Sequence, residues 1–138
     1  MNSSSDIFLK YKLKVKSKLK LEKNKIYKLK YNISFIDDDF RIGFGDFGTL
    51  DYRLKEKGCV GLTNEGLYIN GIMVSNIMIK KKNKEIIFII NLKDKLYNFE
   101  VFIDGKNFGK FEFFLDTIYG LAAINEGSIK ISTLRRVN

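Results

Sequence analysis

Hydrophobic and polar residues alternate with a period of two near the start of the chain, which is typical of a strand with one buried face. Over residues 9–21 the odd positions are apolar, except for Ser17, and the even positions are lysine up to residue 20. Ser17 predicts a bend or bulge that divides this strand. Residues 22–25 form a turn in this prediction, and the alternation resumes over residues 27–35. We expect the two strands to form an antiparallel pair.

The rest of the chain continues as short apolar segments separated by turn residues. Asn70-Gly71 and Asp104-Gly105 are suited to type I′ hairpins, and only residues 115–124 could hold a short helical turn. About ten short strands at this spacing predict an all-β fold, a single antiparallel β-sandwich or jelly roll. We expect one domain over residues 1–138, with residues 1–7 as a flexible N-terminal tail. The later strands are predicted at residues 40–44, 50–54, 60–63, 67–70, 72–80, 85–91, 97–103, 110–114 and 128–134.

Composition narrows the chemistry available to this fold. With 45% hydrophobic and 14% aromatic residues, the chain is able to form a packed core. Histidine is absent, which removes the commonest general base and the commonest transition-metal ligand. The one cysteine, Cys59, lies among small and apolar neighbours and is interpreted as a packed core thiol. We therefore expect no enzymatic activity, no cofactor and no metal.

Acidic residues gather around one glycine-rich stretch. Two carboxylates can perform acid–base chemistry without histidine, and carboxylate clusters can bind calcium. Aspartate is also an ordinary turn residue, because its side chain bonds to nearby backbone groups. The run lacks the alternating ligands and terminal glutamate of a calcium loop, so the turn interpretation is adopted. The residues concerned are Asp37, Asp38, Asp39, Asp46 and Asp51.

A lysine row is the first candidate binding feature. Side chains two apart on a strand lie on one face with roughly 6.6 Å between neighbours. Such a row beside a second strand would make a basic patch for an anionic partner, whereas the alternative is a solvated face that prevents aggregation. Arginine is scarce and no aromatic residue interleaves, so nucleic acid is not an expected partner. The candidate residues are Lys10, Lys12, Lys14, Lys16, Lys28 and Lys30.

Tyrosines are the second candidate feature. Lectins commonly stack a sugar ring on an aromatic side chain, and tryptophan is absent here. Tyr52, Tyr68, Tyr97 and Tyr119 are the possible sugar platforms. The alternative for each of them is a structural role in the core.

Three stretches of the chain resemble parts of concanavalin-like jelly rolls, two of them hairpins and one a strand. Residues 99–113 (FEVFIDGKNFGKFEF) are similar to the late hairpin of galectin-like and SPRY-like domains, and residues 124–131 (INEGSIKI) resemble their closing strand. Residues 61–71 (GLTNEGLYING) resemble an SPRY hairpin. The resemblance implies a jelly-roll sandwich. Galectins bind sugars through a His-Asn-Arg group and a tryptophan, and this chain has neither histidine nor tryptophan, so no galectin site residue transfers.

Codon preference and targeting signals indicate the kind of genome that encodes the protein and its expected cellular location. Abundant Lys, Ile and Asn with little Ala indicate a low-G+C genome. The N-terminus lacks a signal-peptide pattern, and the longest apolar run, residues 86–90, is too short to cross a bilayer. We expect synthesis in the cytoplasm, no membrane insertion, and a non-catalytic binding or structural role among other protein subunits, in a homo- or hetero-oligomer. A bacteriophage virion component is the specific expectation: capsid decoration, a tail or baseplate subunit, or a receptor-binding subunit. The alternative is a lectin-like module for glycan or an anionic cell-wall polymer.

Overall fold

All regular elements in the described part of the chain are β-strands. The computed structural model describes residues 21–35, 41–45, 58–80, 82–115, 118 and 128–137. The strands are β1 (Ile26–Phe35), β2 (Arg41–Gly45), β3 (Cys59–Thr63), β4 (Leu67–Ile69), β5 (Ile72–Ser75), β6 (Glu85–Asn91), β7 (Asn98–Ile103), β8 (Lys106–Glu112) and β9 (Ser128–Arg136). The predicted all-β class is confirmed for these residues. The predicted strands at residues 9–21 and 50–54, the expected tail at 1–7 and the aspartates of the glycine-rich stretch lie outside them.

The strands form two antiparallel sheets. One sheet has five strands in the order β8-β7-β6-β1-β9, and the other has four in the order β2-β3-β4-β5. Over Tyr27–Asn32, β1 pairs with β6 along one edge and with β9 along the other. Both edges of this part of β1 are therefore occupied by β6 and β9. The prediction that this strand pairs with a strand at residues 9–21 is wrong for Tyr27–Asn32. The alternation with a period of two correctly predicted where β1 lies in the sequence. It did not predict the partner strands, which are distant in sequence.

The two dipeptide turns take the backbone conformation that type I′ hairpins require. Both residues of each turn have positive φ: 51° and 85° at Asn70 and Gly71, and 49° and 82° at Asp104 and Gly105. Asparagine, aspartate and glycine tolerate this left-handed region better than other residues. The turns connect β4 to β5 and β7 to β8 with no intervening loop.

Two strand boundaries differ from the prediction by more than two residues. β5 ends at Ser75 instead of continuing to residue 80, and the Ser75 hydroxyl accepts a hydrogen bond from the Ile77 N–H (3.2 Å). Such local side-chain bonding competes with the sheet ladder. β8 begins at Lys106, directly after its turn, rather than at residue 110. The pairing of β7 with β8 shifts its register next to the Val101–Gly109 pair. This irregularity interrupts the apolar–polar alternation of β8, so the sequence pattern did not show that the strand begins before residue 110.

The hydrophobic core draws side chains from both sheets. Tyr27, Leu29, Tyr31 and Ile33 alternate along β1 as buried residues, as the pattern predicts. They belong to one cluster with buried residues of both sheets, including Ile42, Phe44, Val60, Leu62, Phe88, Ile90, Phe99 and Val101.

Phe44 of β2 connects the sheets at the centre of this core. Its ring is fully buried and lies edge-on to Phe88 and Phe99 of the five-stranded sheet, with centroids 5.6 and 5.5 Å apart. Phe113, in the segment after β8, makes a third such contact at 5.5 Å. Edge-to-face rings are favoured because the positive edge of one ring meets the negative face of the other.

A buried hydrogen bond also connects the sheets. The Tyr31 hydroxyl on β1 donates to the Gly43 carbonyl oxygen on β2 at 3.1 Å. Burial raises the pKa of Tyr31 well above its usual value, and the hydrogen bond to Gly43 only partly opposes this. The hydroxyl therefore stays protonated and remains a donor.

Asp104 fastens the β7–β8 turn to the start of β6. Its Oδ1 accepts hydrogen bonds from the backbone N–H groups of Lys84 and Glu85, both at 2.8 Å, and its Oδ2 accepts one from Asn83 Nδ2 at 3.0 Å. Partial burial opposes ionisation, but these hydrogen bonds and the nearby Lys84 charge outweigh it. The pKa of Asp104 is consequently lowered.

Candidate binding groove

A groove of about 330 Å³ opens where three segments of the chain meet, and we call it the Tyr97 groove. The first segment is the turn before β1, the second is the connection between β6 and β7, and the third follows β8. Two backbone hydrogen bonds hold the first two segments together, from Asn24 N–H to the Leu92 carbonyl and from Leu92 N–H to the Lys25 carbonyl, each 2.9 Å. The lining residues are Lys23, Lys95, Leu96, Tyr97, Phe113, Phe114 and Leu115.

The aromatic wall of the groove rests on the core. Phe113 is buried, and its N–H donates to the Tyr97 carbonyl oxygen at 3.0 Å. The half-buried Tyr97 ring lies 6.0 Å from the Phe113 ring, tilted by 49°. Asn70 Nδ2 donates to the Phe114 carbonyl oxygen at 2.9 Å and holds the next residue in position. The backbone of this wall is thus fixed before any ligand arrives.

Two apolar side chains of the wall remain in solvent. Leu96 is 61% exposed and Phe114 is 72% exposed. Successive side chains of an extended segment point to opposite sides, so burial of Phe113 directs Phe114 outward. The consecutive phenylalanines at the end of residues 110–114 were the sequence signal for this exposure. Sequence reasoning used only the strand assignment there and missed it.

The Tyr97 groove is basic. Lys23 and Lys95 are exposed at its lining, and none of its described lining residues carries a carboxylate. Within the described residues, neither lysine takes part in an ion pair. Both positive charges are therefore available to an anionic ligand.

A second groove of about 750 Å³ shares Lys95 and Leu96 with the first. It carries two carboxylates, Asp94 and Glu112, besides Lys110. The Asn98 side chain donates to Asp94 Oδ2 at 3.1 Å and to the Leu96 carbonyl at 3.0 Å, which stabilises the connection. The described lining of the second groove is therefore balanced in charge, whereas that of the Tyr97 groove is basic.

The predicted basic strand face is described only in part. Lys28 and Lys30 lie half-buried on the side of β1 that faces away from the core. Lys30 Nζ forms an ion pair with Glu85 Oε2 at 3.3 Å. Lys10, Lys12, Lys14 and Lys16 lie outside the described residues, so a patch containing all six lysines remains a prediction.

The four candidate tyrosines have separate positions. Tyr97 is half-buried and lines the groove, as described above. Tyr68 is half-buried in β4 and pairs in register with Gly61 of β3 and Met73 of β5. Tyr52 and Tyr119 lie outside the described residues. The structure therefore places one of the four at a concave surface.

β5 presents an exposed apolar edge that sequence reasoning missed. It is the last of the described strands in the four-stranded sheet, and its residues Ile72, Met73 and Val74 are all exposed, Ile72 by 67%. The strand contains no charged residue. The sequence signal was a continuous apolar run after Asn70-Gly71, where an ordinary half-buried strand would alternate.

Metal ligands, the cysteine thiol and membrane-spanning helices are the other features to consider among the described residues. No three His, Cys, Asp or Glu side chains among the described residues come together in a way that could hold a metal ion. Cys59 is buried, as predicted for a packed thiol. Over the described ranges, no helix is long and apolar enough to cross a membrane.

Comparison with known proteins adds no relative to this picture: no protein-family model matches the chain, and no curated protein sequence matches it.

Proposed function

We propose that the chain is a single antiparallel β-sandwich that serves as a non-catalytic binding or structural module in a multi-protein assembly. The sandwich is supported by the core shared between the two sheets, above all by Phe44 and by the Tyr31–Gly43 hydrogen bond. Two sheets that pack face to face in this way interdigitate their inner side chains. The jelly-roll route and the kinship with concanavalin-like domains belong to the same proposal and rest on the two tight hairpins.

The exposed β5 edge is the observation that carries the assembly role. An edge strand presents unpaired backbone groups, and natural proteins usually protect such edges with lysine, proline or a covering segment. This chain has 25 lysine and arginine residues but places none on β5. Exposed contiguous apolar residues commonly mark protein–protein contacts. We therefore propose that another subunit pairs along β5.

A bacteriophage virion component is the specific assembly proposed. Capsid decoration, a tail or baseplate subunit and a receptor-binding subunit are the three roles considered. The low-G+C composition supports this proposal, which includes synthesis in the cytoplasm and incorporation into a particle.

The test measures assembly with and without a charge on the edge. The full chain is purified alone and together with the products of neighbouring genes, and the mass of each complex is measured by light scattering after gel filtration. Met73→Lys is expected to dissociate the complex, because a buried unpaired charge is costly at an interface. Phe108→Lys adds the same charge on β8, at the edge of the other sheet, and is the matched control.

Two results would contradict the proposal. One is a monomer under every condition, with no neighbouring product bound. The other is a complex that Met73→Lys and Phe108→Lys affect equally, since the contact would then not depend on β5.

The alternative is a lectin-like module, and the Tyr97 groove favours it. A half-exposed tyrosine in a concave site suits a sugar ring. A glycan array probed with the wild-type protein tests this alternative directly. Binding to no glycan would reject it.

A further inference from the structure

We propose that the Tyr97 groove binds an anionic saccharide, in which acidic groups contact Lys23 and Lys95 while a sugar ring packs on the apolar wall. This inference rests on the alternative, glycan-binding function and specifies its ligand. The shared chemistry is a ring with apolar C–H faces that carries a carboxylate or phosphate.

The wall has the composition that a sugar ring requires. A pyranose has an apolar face of C–H bonds that packs on aromatic and aliphatic side chains. Tyr97, Leu96 and Phe114 supply such a surface, and Phe113 supports Tyr97 from the core. The volume of about 330 Å³ lies at the small end of the range of about 300–1,000 Å³ for small-molecule sites, which suits one or two rings rather than a large cofactor.

The charge of the groove selects an anion. Lys23 and Lys95 come from segments that backbone hydrogen bonds hold together, and no carboxylate among the described lining residues competes for them. Lysine acts as a compact point charge and does not impose the planar, bidentate geometry of arginine. Carboxylate and phosphate groups on a saccharide are therefore both acceptable partners.

A long nucleic acid fits the surroundings less well. The second groove, which shares Leu96 with the first, carries Asp94 and Glu112 as well as Lys95 and Lys110, so its described lining has no net positive charge to attract a polyanion that continued along it. Nucleic acid carries a phosphate at every nucleotide, whereas an acidic saccharide can place its charges only where the lysines are. The observed charge distribution favours the saccharide.

An acidic peptide also fits less well. Extended peptides usually bind by adding a strand to a free sheet edge. At this groove the Phe113 N–H and the Tyr97 carbonyl already bond to each other at 3.0 Å, so these backbone groups are not free to receive a strand. The available contacts come from side chains.

The binding test uses four defined probes and isothermal titration calorimetry. Oligogalacturonate supplies carboxylates, a phosphorylated maltooligosaccharide supplies phosphates, methyl-esterified oligogalacturonate keeps the rings without the charges, and polyglutamate represents acidic peptides. We expect at least one anionic saccharide to bind, and the methyl ester and polyglutamate to bind at least roughly tenfold more weakly, which corresponds to about 1.4 kcal/mol. Comparison of the first two probes identifies the acid group.

Variants then locate the site. Lys95→Gln is expected to weaken binding roughly three- to tenfold, as the loss of one partly exposed ion pair would. Phe114→Ser is expected to weaken it by a similar factor, and it is compatible with folding because this side chain is largely in solvent. Lys82→Gln, which removes the same charge from an exposed lysine outside both grooves and outside the predicted basic strand face, is the matched control and should bind like the wild type.

The outcomes separate this inference from the functions proposed above. The inference is wrong if no anionic saccharide binds, if the neutral ester or polyglutamate binds equally well, or if Lys95→Gln behaves like Lys82→Gln. Array binding to other glycans that these variants leave unchanged would overturn the inference but preserve a lectin function. Light scattering of the same variants should remain like that of the wild type, because none of them alters β5.

Discussion

Replacement of Phe44 by alanine is the most direct test of how the two sheets are held together. The side chain is fully buried, and its ring contacts Phe88 and Phe99 across the core and Phe113 at the end of the β8 hairpin. Truncation removes all three contacts and leaves a cavity between the sheets.

The expected loss in free energy of unfolding is about 3–5 kcal/mol, the usual cost of Phe-to-Ala changes in a packed core. Aromatic pairing contributes about 0.5–1.5 kcal/mol for each pair beyond simple burial, so the upper half of that range is expected here. Small proteins are stable by about 5–15 kcal/mol in total, so the variant should still fold but be close to marginal.

Urea unfolding followed by far-UV circular dichroism and tyrosine fluorescence measures this loss. The chain has seven tyrosines and no tryptophan, so tyrosine is the intrinsic fluorophore. Phe114→Ala is the control, since a side chain 72% exposed should change stability by less than about 0.5 kcal/mol.

A double-mutant cycle with Phe99→Ala isolates the contact between the sheets. The expected coupling between Phe44 and Phe99 is about 0.5–1.5 kcal/mol. A cost below about 1 kcal/mol for Phe44→Ala, or zero coupling in the cycle, would refute the conclusion that the two sheets share one core.

Three further predictions concern individual groups. Tyr31→Phe should lower the free energy of unfolding by about 1–3 kcal/mol in urea titrations, because the buried Gly43 carbonyl loses its partner. Asp104→Asn should flatten the acid side of the stability–pH curve measured by the same titrations. Because the folded pKa of Asp104 is lowered, its carboxylate stabilises the fold above the unfolded pKa, and that stabilisation disappears as pH falls through the folded value. Gly43→Ala should abolish cooperative unfolding in circular dichroism, because its Cβ would collide with the Val60 carbonyl oxygen on the neighbouring strand.

Local patterns predicted local structure well. β6 occupies the predicted residues, and β1 and β9 begin within one residue of prediction, because a period of two is set by side chains along a single strand. Asn70-Gly71 and Asp104-Gly105 likewise determine their own turns.

Strand pairing and side-chain exposure were predicted less well than strand positions, because they depend on contacts between segments far apart in the chain. The partners of β1 are decided by its fit to β6 and β9, and no neighbouring residue encodes that choice. Tyr97 was predicted as a possible sugar platform from its residue type alone. Lys23, Lys95 and Phe114 were missed because three separate segments bring them together.

The position of β1 between β6 and β9 also has a consequence for synthesis on the ribosome. Its register pair Tyr27–Arg136 closes a loop on the order of a hundred residues, and the loss of chain entropy must precede the gain from pairing. During translation β1 emerges early, β6 can cover one of its edges midway, and the other edge waits until β9 is made. Such non-local pairing slows folding and leaves strand edges open to misassembly in the meantime. The newly made chain should therefore depend on chaperones most strongly between the emergence of β6 and that of β9.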